Sequence, residues 1–103
     1  MPSTEQQLQW DIERMHSECS GMDKLTRLAY LKGQWNRLNQ MAWQYGAYLQ
    51  CRMSITPTER QYANYLIVMI NEVETEGKKV ENDLQKDVLK ELAKVLVRGY
   101  GGD

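Results

Sequence analysis

Residues 49–73 read LQCRMSITPTERQYANYLIVMINEV, a span that holds a turn, a helix start and the most apolar run of the chain. At its centre Thr56-Pro57-Thr58-Glu59 combines three helix-start signals. Thr56 supplies a capping hydroxyl, Pro57 stands at the first helical position where its missing N–H costs nothing, and Glu59 closes a capping box. The run Tyr65 to Ile70 is rich in β-formers, yet it follows a helix cap and has no second strand-like run to pair with, so the reading is helix.

Apolar residues recur at spacings of three and four on both sides of this turn. Leu28, Leu31, Trp35, Leu38, Ala42, Tyr45 and Leu49 precede it, and Tyr62, Leu66, Met69, Val73, Gly77, Val80 and Leu84 follow it. Folding the chain back sets 49 opposite 62, 38 opposite 73 and 28 opposite 84, and the facing numbers add to 111 or 112 at every rung. Two antiparallel helices joined by a turn produce such a constant. Trp35 then falls opposite Gly77, which predicts an indole seated on a glycine and strong overpacking in Gly77→Leu.

Upstream, Ser3 or Thr4 can cap a first helix whose Leu8, Ile12, Met15 and Cys19 form one narrow apolar face ending near Cys19. Ser20-Gly21-Met22-Asp23 reads as a capping box for a second helix running to about Met53. Gly33 and Gly46 lie inside that helix without shifting its stripe. The expected fold is all-α: a short N-terminal helix packed on a long antiparallel, coiled-coil-like hairpin, with three helices, or four if the chain breaks at Gly77. One domain spans 1–103, with 99–103 as a flexible tail.

The 103 residues carry a net charge of −1 that hides a segmental pattern: −4 over 1–23, +5 over 24–61 and −2 over 62–103. The polar start, MPSTEQQLQW, lacks the apolar run of a signal peptide, and Tyr65 to Ile70 is too short to span a bilayer. Cys19 and Cys51 sit at opposite ends of the second helix, roughly 40 Å apart at the standard rise, so they are not expected to pair. The expectation is a cytoplasmic protein without membrane contact.

No cofactor, metal or catalytic motif stands out. Glu13 and His16 have di-iron bundle spacing, but the chain has one histidine and no second such motif. His16 and Cys19 could supply only two of four zinc ligands, and no orienting acid can be named for a Cys/His pair. An enzyme is therefore not expected.

The informative feature is an excess of apolar residues. Helix one is expected to cover the hairpin around Leu28 to Leu38 and Val73 to Leu84. That would leave bare a tip bearing Met41, Trp43, Tyr48, Tyr65, Ile67 and Val68. Leu89, Leu92, Val95 and Leu96 project past the start of helix two and also lack a partner. Such surfaces suit a non-catalytic protein-interaction module: a homodimeric accessory protein that serves as adaptor or inhibitor of a larger assembly. The alternative is a nucleic-acid-binding regulator using the basic middle helix, with Lys24, Arg27, Lys32 and Arg37 as contacts.

Overall fold

A computed structural model describes the backbone of residues 3–101 and the side chains of residues 3–98. Three helices account for the described chain: α1 (Thr4–Ser20), α2 (Lys24–Gln50) and α3 (Pro57–Gly101). The cap at α3 forms as the sequence predicts. The Thr56 N–H donates to Glu59 Oε1 at 3.0 Å, and the Glu59 N–H donates to Thr56 Oγ1 at 3.1 Å. At α1, Ser3 is the cap, closed reciprocally by Gln6.

At α2 the cap is Asp23, whose carboxylate accepts the Thr26 N–H at 2.7 Å. Ser20 is not the cap: it is the last residue of α1, and its hydroxyl donates back to the Ser17 carbonyl. A carboxylate at the positive end of the helix outcompetes a hydroxyl three residues upstream. That bond is also the leading cause of the Asp23 carboxyl being held below its ordinary range.

The hairpin follows the constant-sum register. Leu31, Leu38, Leu66, Met69, Val73 and Val80 are buried between α2 and α3, each worth about 1.5 to 3 kcal/mol relative to exposure. The Tyr45 and Tyr62 rings, from adjacent rungs one turn apart, meet edge to face with centroids 4.7 Å apart. Lys24 Nζ reaches Asp87 at 2.8 Å, extending the same series to the far end of α2. α3 passes Gly77 without a break, so the helices number three. It also continues helically through Gly101, into the tail expected to fray, and residues 102–103 lie outside the described residues.

Two expectations are corrected. Trp35 does not close over Gly77: the indole remains 36% exposed, and a Cβ added at Gly77 would meet nothing within 4 Å. The two residues share the walls of an open groove of about 330 Å³. The register is as expected, but Trp35 lies off the centre of the seam and leans toward one edge.

Helix one also lies elsewhere than expected. It runs parallel to α3 and covers the half near the Ser54 turn. Thr4 and Leu8 stand against Gln61 and Tyr65, the Tyr65 hydroxyl donates to the Asp11 carboxylate, and His16 lies 3.8 Å from Glu72 and 3.9 Å from Glu76. Arg27 fastens the connection between α1 and α2. Its guanidinium donates to the Cys19 and Met22 carbonyls, both at 2.9 Å, and so ties the end of α1 to the first turns of α2. α1 docks its Leu8, Ile12, Met15 and Cys19 face mainly on α3.

Two tyrosines tie α1 down. Tyr65 donates to Asp11 and Tyr30 donates to Glu18, beside a polar cleft of about 350 Å³ between α1 and α2. Burial first, then the carboxylate partner, pushes each phenol up to about 12. A phenol raised in the fold adds stability that is complete below its unfolded value of about 10 and is lost as pH rises through 12.

Two outcomes follow from this packing. Gly77→Ala should stabilise the protein by about 0.5 to 1 kcal/mol in urea unfolding, because the added methyl meets open space and improves helix propensity. A loss instead would show that Trp35 seats on Gly77 in solution. Tyr65→Phe should cost about 1 kcal/mol at neutral pH. The gap to wild type should close between pH 10 and 12; a gap that stays constant across this range would contradict the Tyr65–Asp11 bond.

Candidate functional site

With α1 on the Tyr30 and Tyr65 side of the hairpin, the opposite side has no covering helix. One residue further along a helix is a rotation of about 100°, so positions one past each buried rung look out on that side. On α2 these include Lys32 and Trp43, and on α3 Ile67, Glu74 and Glu81. Trp43 is 76% exposed above a shallow depression formed by Ala42, Gly46 and Ala47, and Ile67 is 59% exposed. Between them and the far end lies the Trp35–Gly77 groove, rimmed by Lys32, Glu74, Lys78 and Glu81. Lys32 stands 3.7 Å from Glu81, and Lys78 3.1 Å from Glu74.

Of the expected tip residues, the structure keeps Trp43 and Ile67 together on this face. Tyr48 is exposed at the turn, where Arg52 donates to its hydroxyl at 2.9 Å and also lies 5.6 Å from the ring centroid. Met41 and Val68 are half-buried, and Tyr65 belongs to the α1 contact on the other side. The tip is thus covered on one side and bare on the other.

The far end of α3 is bare all round. At 1.5 Å per residue, α3 is about 68 Å long and α2 about 40 Å, so α3 overhangs the start of α2 beyond Asp87. Val88, Leu89, Leu92, Val95 and Leu96 are all more than half exposed there. On the α3 wheel they do not continue the seam with α2, because Glu91 and Arg98 occupy the seam direction. Their mean direction is turned by about 100° onto the side of Ile67, with Val95 nearest the seam and Leu89 farthest from it. This alignment escapes a reading that follows only the buried stripe; plotting all of α3 on a single wheel reveals it.

The basic residues do not share a surface. Lys24 pairs with Asp87, Arg27 is held by carbonyls beneath α1, Lys32 lies on the uncovered side near Glu81, and Arg37 bonds Gln34 at 2.7 Å beside the α1 cleft. The Cys19 thiol is buried and pushed up, chiefly by burial, which makes it a poor nucleophile. No group of three or more metal-ligating side chains occurs among the described residues, and no helix among them is long and apolar enough to cross a membrane. No protein-family model matches the chain, and neither a curated protein nor a solved structure matches it.

With its bases on separate faces and largely engaged, the protein should not retard a DNA or RNA duplex in low-salt gel shifts. Retardation that is lost on changing Arg27, Lys32 and Arg37 to Ala would instead establish a phosphate-binding surface.

Proposed function

We propose that this chain is a non-catalytic helical interaction module that works by burying the hairpin face opposite α1 against another protein surface. The observation that supports this is that Trp43, Ile67 and five apolar residues of the α3 overhang, Val88, Leu89, Leu92, Val95 and Leu96, collect on one side of the molecule, all more than half exposed, while Val97 faces another way. Leaving each in water forgoes roughly 1.5 to 3 kcal/mol. Two exposed apolar patches, one at Trp43 and Ile67 and one on the overhang, flank a charged middle, and exposed apolar patches rimmed by polar residues are typical of interaction surfaces. In this reading the protein is a small homodimeric accessory factor that alters a larger assembly, as adaptor or inhibitor, by occupying its surface. Two unpaired thiols suit a reducing, cytoplasmic setting.

Light scattering after size exclusion tests this on the wild type and on Trp43→Ala/Ile67→Ala, with helicity checked by circular dichroism. The wild type should show a concentration-dependent mass above the 12.1 kDa of one chain, and the double variant should shift toward the monomer. The reading is overturned if the wild type stays at 12.1 kDa at every concentration and cross-linking in cell extract also finds no contact through this face.

A further inference from the structure

Along the uncovered side of α3 the order of apolar and polar positions is nearly symmetric, broken where exposed Val88 stands opposite Asn71 and with Ala63 and Ile70 half-buried. From the turn it runs apolar at Ala63, Ile67 and Ile70, polar at Glu74, Lys78, Glu81 and Gln85, then apolar again at Leu89, Leu92 and Leu96. Set antiparallel on a second copy of itself, 63 faces 96, 67 faces 92, 70 faces 89, 74 faces 85 and 78 faces 81. Every pair of numbers adds to 159. A surface of this kind is complementary to itself across a twofold axis, which is the requirement of an isologous dimer contact.

We propose that this face is a self-recognition surface on which a second copy of the chain lies antiparallel, with Ile67 of each copy against Leu92 of the other. The inference rests on the interaction-module reading and specifies its partner. Charge selects the direction. With the axis between residues 79 and 80, Lys78 of each copy meets Glu81 of the other. A parallel pairing would set Lys78 on Lys78 and Glu81 on Glu81. Lys32, Glu74, Lys78 and Glu81 from each copy leave the centre of the contact neutral.

The overhang has no α2 beside it, so that of the second copy can lie over Ile67 and beside Trp43, two exposed apolar residues on this face toward the turn end. The available area suffices. The chain exposes 7958 Å². A compact 12.1 kDa protein exposes about 6,000 Å², and a standard interface takes roughly 800 Å² from each partner.

The register is tested by disulfide trapping of the full chain carrying Cys51→Ser, which removes the exposed native thiol. Positions 67 and 92 are 25 residues apart on one helix, about 38 Å, so no disulfide between them can form within one copy. Ile67→Cys/Leu92→Cys should oxidise to a reducible covalent dimer, and an equimolar mixture of the two single variants should do the same. Each single variant alone should remain monomeric on a non-reducing gel. In parallel, Glu81→Lys should weaken self-association about tenfold, and adding Lys78→Glu should restore it.

Cross-links of 67 to 67 or of 92 to 92 would overturn this register while leaving the interaction reading standing. A monomeric wild type without any cross-link would overturn self-recognition. The interaction reading would then fall only if cross-linking in extract also finds no partner at Trp43.

Discussion

The packing of a short helix against a long one organises everything else in this molecule. The cap at Thr56 fixes where α3 begins, and the turn before it fixes the register in which α2 returns along it. Six buried residues then hold the seam from Leu66 to Val80. Because α2 has 27 residues and α3 has 45, the seam necessarily stops short of the end of α3. An overhang of about four turns is too short to be a robust helix alone in water, and its apolar residues have no intramolecular neighbour.

The second constraint is that α1 covers one side only. It is held by its apolar face on the core, by two tyrosine–carboxylate bonds and by an arginine bonded to two carbonyls at the α1–α2 connection. Together they commit α1 to the Tyr30 and Tyr65 side and leave the other side to Trp35, Trp43 and Ile67. The result is an extended molecule, 74 × 28 × 14 Å with a radius of gyration of 19.9 Å. A compact chain of this length would have about 13 Å. Length and one-sided covering both leave apolar surface exposed.

The hairpin was legible in the sequence because helical pairing obeys simple arithmetic. Caps are local chemistry, and a rung sum survives any error of a residue or two at the helix ends. What failed to read through was three-dimensional. Sequence spacing put Trp35 over Gly77, but a seam between cylinders has edges, and a ring one step off centre leaves a groove instead of filling it. Arg27 reads as one base among several, whereas in the fold it is spent on two carbonyls at the α1–α2 connection. Leu89 and Leu92 were visible as unpartnered, but their alignment with Ile67 becomes evident only once α3 is known to be one continuous helix through Gly77.

The most direct measurement of the central claim is amide hydrogen exchange, resolved by peptide and repeated across protein concentrations. An overhang held by a second copy predicts that protection of residues 86–98 rises with concentration and does so together with residues 63–71, while the seam around Leu31 and Val73 is protected throughout. Overhang protection that is low and indifferent to concentration, or that rises without any change at 63–71, would contradict the account.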